Sequence, residues 1–135
     1  MITKQAQKAL PVEMQKELTK VSELAPVAPP SDKYLIALYD LMSDWRESNG
    51  WANIKKILRR YRTNHLAKQT KKSQFGTVIE ITSAGVSPST KSKYVAILQY
   101  ALKKDLTTDE LKKQIKKYGI NDLVANIRKK KKGKK

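Results

Sequence analysis

An uncompensated positive charge occupies the middle of the chain. Between Lys55 and Lys72, eight side chains are basic and none is acidic. A field of that strength attracts polyanions, and nucleic acid is the commonest polyanion in a cell. The stretch therefore predicts contacts to phosphates. The residues expected to make them are Lys55, Lys56, Arg59, Arg60, Arg62, Lys68, Lys71 and Lys72.

A second basic run closes the sequence. Seven of the eight residues from Arg128 onward are basic, and the last carboxylate precedes them at Asp122. Such a run is expected to be disordered and to add electrostatic affinity that does not depend on nucleic-acid sequence. Its first three residues, Arg128, Lys129 and Lys130, are therefore included in the predicted phosphate-binding set.

The two runs make the charge distribution uneven. Residues 1–54 carry six basic and seven acidic side chains, whereas residues 55–135 carry 23 basic and five acidic ones. The net charge of +17 thus lies entirely in the second part of the chain.

Little in the sequence favours catalysis or metal binding. Zero cysteines exclude disulfides, thiolate zinc sites and thiol catalysis. The single histidine, His65, has no triad motif around it, and the five glycines do not form a phosphate-cradling loop. The twelve carboxylates show no pattern of paired acids. We therefore expect a protein that is not an enzyme and that needs neither a metal nor another cofactor.

One local string has more specific content. Ala84 to Lys93 reads AGVSPSTKSK, and it resembles the turn and recognition-helix start in the helix-turn-helix of lac-repressor-family DNA-binding proteins. The resemblance implies that Ser87 caps the second helix. It also implies that Ser89, Thr90 and Lys93 face base edges and phosphates in a major groove.

The string departs from that family's pattern at two places. Lys91 stands where the family has a valine or isoleucine, and Glu80 and Ile81 stand where the first helix has an apolar residue and a small alanine. Gly85 suits the left-handed conformation that ends a helix. Any turn between two helices with a serine cap would look similar, so both interpretations stay open. Base readout would also require a homodimer or a second reading element.

The elements that position these residues are predicted to be helices. Apolar side chains recur at helical spacing over 31–49, 51–65, 87–104, 107–119 and 121–127. Residues 75–84 are ambiguous, because their β-branched content is also typical of a strand. We expect a helix there, since no other segment could pair with a strand. The sequence predicts an all-α fold, a small bundle of five or six short helices.

The predicted organisation has three parts. Residues 1–30 form an N-terminal arm and Pro-rich linker, because three prolines between Pro26 and Pro30 favour an extended segment. Residues 31–127 form the helical domain, and residues 128–135 form a disordered basic tail. An N-terminal helix packed on the core is the alternative for the arm.

The aromatic residues are not interleaved with the basic ones. Trp51, Tyr61, Tyr94, Tyr100 and Tyr118 are expected mostly on apolar stripes of the helices. This argues against a single-strand reader, which needs exposed aromatic faces.

These features predict a small basic DNA-binding protein of bacterial or phage-like type, with duplex DNA as partner. It would serve as an accessory regulator, a nucleoid-associated protein or a replication-linked factor. One alternative is a phage-type inhibitor or adaptor that binds a host protein or occupies a nucleic-acid channel. Another is an RNA- or ribosome-associated protein. Without a long apolar run or a secretory signal, we expect a cytoplasmic, nucleoid-associated location and no membrane contact.

Overall fold

The computed structural model describes residues 2, 4–24, 31–65, 74–83 and 86–133, with the side chains of 5, 65 and 130–133 outside the description. These residues form eight α-helices and no strand, which confirms the predicted all-α bundle. The expected five or six helices is too few, because residues 4–22 add two. The helices are α1 (Lys4–Ala9), α2 (Val12–Ser22), α3 (Asp32–Glu47), α4 (Trp51–His65), α5 (Gln74–Thr82), α6 (Pro88–Lys103), α7 (Thr108–Tyr118) and α8 (Ile120–Gly133).

The prediction that the N-terminal segment lies outside the domain is wrong for its described residues. Helices α1 and α2 pack against α3, α4 and α5, and Leu18 is fully buried. The reason is an apolar stripe with a spacing of about one helical turn, which continues from α1 into α2. In the sequence this stripe is weak, because lysines, glutamines and other polar residues separate its members. The predicted linker, residues 25–30, lies outside the described residues. The buried stripe consists of Ile2, Ala6, Leu10, Met14, Leu18 and Val21.

Helix α3 runs through the centre of the bundle. It begins as expected at Ser31, whose hydroxyl oxygen accepts a hydrogen bond from the Tyr34 amide at 3.2 Å. It packs against α2, α4, α6 and α7. This position explains why one face of α3 is buried along its whole length, from Tyr34 to Trp45.

The ambiguous segment is helix α5, as we expected. Val78 and Ile81 are completely buried, because α2, α4 and α6 surround the helix. The Thr82 hydroxyl lies 2.6 Å from the Tyr34 hydroxyl and 2.8 Å from the Val78 carbonyl oxygen, to which it donates. A helix satisfies its own backbone groups, whereas a lone buried strand would leave them unpaired. Burial therefore overrides the β-branched composition.

Helices α6, α7 and α8 form the C-terminal part of the bundle. Thr107 and Glu110 form the predicted capping box of α7, and Gly119, with φ +79°, separates α7 from α8. Helix α8 packs against both α6 and α7. It continues to Gly133, so the prediction of a disordered tail from residue 128 is wrong for residues 128–133, which are helical. Lysine and arginine are good helix formers and can prolong a helix.

None of the helices in the described part of the chain is both long and apolar enough to cross a lipid bilayer.

Candidate nucleic-acid interface

Helix α4 carries its basic side chains on the outside of the molecule. Leu58 and Tyr61 point into the core, with 1% and 3% of their surface exposed. The cations lie on the opposite arc, four of them exposed and Arg62 partly buried. Five of the eight predicted residues of the central run therefore share one surface, and Lys68, Lys71 and Lys72 lie outside the described residues. The α4 basic surface consists of Lys55, Lys56, Arg59, Arg60 and Arg62.

A groove runs along this surface where α4 packs against α5. Its volume is about 340 Å³, and the α4 side contributes Lys55, Lys56, Arg59 and Arg62. The α5 side contributes polar groups, among them the amide of Gln74. A groove with cations along one wall and neutral donors on the other can hold an anionic group such as a phosphate.

The charges of the α4 basic surface are not neutralised from within the described residues. The ion pair found in that part of the chain joins Lys91 to Glu80, and it leaves the α4 basic surface without a carboxylate partner there. The Lys55 ammonium lies 5.8 Å from the ring centroid of Trp51, which is an uncharged side chain. Five cations in this state produce a positive potential that attracts a polyanion.

The two departures from the helix-turn-helix pattern pair with each other. Lys91 Nζ lies 3.2 Å from Glu80 Oε2, so a charged residue on α6 contacts a charged residue on α5. Both side chains are partly buried, at 18% and 26% exposure. An ion pair thus stands where the family places apolar packing.

The residues expected to read bases lie at the start of helix α6, but two of them form hydrogen bonds within the protein. Ser87 caps the helix, as expected, and Ser89 is exposed. Thr90 is partly buried, and its hydroxyl accepts a hydrogen bond from that of Ser87 at 3.1 Å. Lys93 Nζ donates to Asn121 Oδ1 at 2.8 Å, which ties α6 to α8. Ala84 and Gly85 lie outside the described residues.

One of the C-terminal basic residues, Arg128, also contacts α6. The Arg128 guanidinium donates to Ser92 Oγ at 3.3 Å, while Lys129 is exposed. Lys130 belongs to α8, and its side chain lies outside the described residues. Ser92 and Lys93 on α6 thus both bond to side chains of α8, although Ser92 remains exposed.

Sequence reasoning missed a second basic helix. The lysines of α7 form two pairs one helical turn apart, on the side of the helix away from a buried stripe of Leu111 and Ile115. That spacing was a usable signal. The expectation that Tyr118 lies on the apolar stripe is wrong, because 40% of its surface is exposed. Tyr118 is the last residue of α7, and the chain turns away at Gly119. The lysines, all exposed, are Lys112, Lys113, Lys116 and Lys117.

The buried tyrosines are structural. Burial raises the pKa of Tyr34, Tyr39 and Tyr94, so their hydroxyls stay protonated at neutral pH. Tyr39 Oη donates to the Leu106 carbonyl oxygen at 2.6 Å, and Tyr94 Oη accepts from the Ser31 amide at 2.9 Å. Over the described residues, no cluster of histidine or carboxylate side chains could hold a metal ion.

Comparison of this chain with protein-family models, curated proteins and solved structures found no match.

Proposed function

We propose that this chain binds nucleic acid through the sugar–phosphate backbone, with the α4 basic surface as the main contact. One observation supports this most strongly. Five cations lie together on one surface of α4, and none has a carboxylate partner within the described residues. Binding a nucleic acid there would release the counterions condensed on its phosphates, which is the main source of sequence-independent affinity.

The dimensions of α4 suit such a contact. From Lys55 to Arg62 the helix rises about 10 Å, at 1.5 Å per residue. Along one strand of duplex DNA the charges are spaced about 3.4 Å on the axis, so this length matches about three phosphates. Three of the five cations are arginines, whose planar guanidinium can hold a phosphate through two parallel hydrogen bonds. Duplex DNA is the proposed partner of this surface.

The proposal covers binding that does not depend on sequence. Base readout by α6 is a separate prediction. Lys93 and Ser92 already form hydrogen bonds with Asn121 and Arg128, and they would have to release these partners to contact a base. Selection from a random duplex pool tests it. Enrichment of a motif that changes in Ser89→Ala would support direct readout, and a pool without enrichment would leave backbone binding alone.

A charge-matched pair of variants tests the proposal. The α4 variant replaces Lys55, Lys56, Arg59 and Arg60 by alanine. The control variant removes four exposed lysines on other helices, Lys16, Lys20, Lys33 and Lys103, and thus has the same net charge. Affinity for duplex DNA is measured by fluorescence anisotropy over a range of salt concentrations, with circular dichroism to confirm folding.

For the α4 variant, the slope of log affinity against log salt should become shallower by about 0.9 for each phosphate that the protein no longer neutralises. With about three such phosphates, the expected change lies between about 2 and 3. The control should keep most of the wild-type slope. Equal slopes in two folded variants would refute a local role of α4 and leave only net charge.

A further inference from the structure

A second groove lies at the other basic part of the molecule, where α6, α7 and α8 meet. Its volume is about 700 Å³. Two aromatic rings, two ammonium groups and two side-chain amides line it, above the aliphatic side chains of Leu123 and Ile127. No carboxylate is among the described residues that line it. The six polar and aromatic residues are Tyr100, Gln114, Lys117, Tyr118, Asn126 and Lys129.

Helical spacing brings these groups to one place. Gln114, Lys117 and Tyr118 are three and four residues apart, and so lie on one face of α7. Asn126 and Lys129 are three residues apart on α8 and line the same groove. The turn at Gly119 folds α8 back against α7, which sets the two faces around one space.

Tyr118 is the unusual residue of this groove. The residue is 40% exposed, whereas Tyr34 and Tyr94, in the core, are completely buried. The Lys117 ammonium lies 5.2 Å from the Tyr118 ring centroid, so a cation and an exposed aromatic ring occupy one site. Exposed aromatics beside cations are the combination that binds unpaired bases, because the ring stacks on a base while the cation contacts its phosphate.

We infer that this groove binds an unpaired nucleobase of a nucleic-acid strand, an inference that rests on the proposed function. The Tyr118 ring stacks on the base. The amides of Gln114 and Asn126 each offer a donor and an acceptor to a base edge. Lys117 and Lys129 contact the flanking phosphates. The chain would then hold the backbone at α4 and recognise a single-stranded segment at the groove.

An acidic peptide is the competing occupant of a cationic groove. It would need the lysines, but it would gain little from an exposed aromatic ring or from two amides that can contact a base edge. A nucleotide of the strand uses all three kinds of group at once, because its base contacts the ring and the amides while its phosphate contacts the lysines. The composition of the groove therefore favours a nucleobase.

The test compares two strands of the same length and charge, a short oligothymidine and its abasic counterpart. Wild type should bind the strand with bases more tightly by roughly 5- to 150-fold, the effect of one base stacked on an aromatic ring. Tyr118→Ala should abolish that difference and leave abasic binding unchanged. Tyr118→Phe, which keeps the ring, should preserve it. Melting curves establish that both variants are folded.

Equal affinity of wild type for the two strands would overturn the inference while leaving backbone binding by α4 intact. The same holds if Tyr118→Ala weakens both strands alike. Absence of binding to either strand and to duplex DNA would overturn the proposed function as well. Poly-glutamate is the last ligand. If it binds to wild type and its affinity falls in Tyr118→Ala, the groove is a site for acidic peptides and the nucleobase assignment is wrong.

Discussion

The α4 basic surface and the groove between α6, α7 and α8 carry charge of the same sign but differ in what surrounds it. On α4 the aromatic side chains belong to the core or pack against it, since Tyr61 is 3% exposed and Trp51 contacts buried residues. The ligand side of the helix presents cations. In the groove, Tyr118 is exposed and lies beside Lys117 and the amide of Gln114.

This difference has a structural cause and a chemical consequence. Helix α4 is covered along its inner face by α1, α3 and α5, and its large apolar residues all pack against the core. Tyr118 ends its helix, and the next helix begins after one glycine. Cations alone attract any phosphate polymer, whereas cations next to an exposed ring can distinguish a paired base from an unpaired one.

The largest expected effect concerns the scaffold under α4 and α5. Leu18 on α2 is completely buried, and replacing it by alanine should lower the free energy of unfolding by about 2–5 kcal/mol. Val12, on the same helix, is 64% exposed, so Val12→Ala should change it by less than about 0.5 kcal/mol. Thermal and urea unfolding measure both. Equal, small effects would show that α1 and α2 are not docked in solution.

An intermediate effect is expected from truncation after Ile127. The shortened chain lacks seven positive charges, including Lys129 of the groove. Binding should weaken on all duplex sequences alike, because phosphate contacts carry no sequence information. The strand with bases and its abasic counterpart should both bind more weakly, because they carry the same phosphates. The melting temperature should change little, because Arg128 and Lys129 are exposed. A cooperative loss of stability would show instead that the end of α8 supports the core.

The smallest effect is expected at the ion pair between α5 and α6. A double-mutant cycle with Lys91→Ala and Glu80→Ala should give a coupling free energy of up to about 1 kcal/mol, typical of partly exposed pairs. Lys91→Ala should weaken duplex binding only slightly, because it removes a single positive charge that lies outside the α4 basic surface. If Lys91→Ala weakens duplex binding as much as Arg59→Ala does, the start of α6 also contacts the phosphates, and α4 is not the main contact.

Most of the helices could be predicted because their signals are local. Ser31 and Ser87 cap helices, and Thr107 with Glu110 forms the capping box. The amphipathic pattern of α4 likewise located its basic surface. The segment of α5 needed one further argument, the absence of a strand to pair with.

The features that could not be predicted from the sequence depend on tertiary packing. The buried stripe from Ile2 to Val21 is sparse, and its residues become a core only because α3, α4 and α5 cover them. The exposure of Tyr118 depends on the direction taken after Gly119, which helical spacing does not reveal. The bond between Lys93 and Asn121 joins residues 28 positions apart and was equally hidden.

Site-resolved acetylation of lysines in the presence of duplex DNA tests the central proposal most directly. Lys55 and Lys56 are exposed, as are Lys16 and Lys20 on α2, so all four should react in the free protein. Saturating duplex should protect Lys55 and Lys56, leave Lys16 and Lys20 reactive, and lose its effect at high salt, as measured by mass spectrometry. Protection of Lys16 and Lys20 without protection of Lys55 and Lys56 would contradict binding at α4.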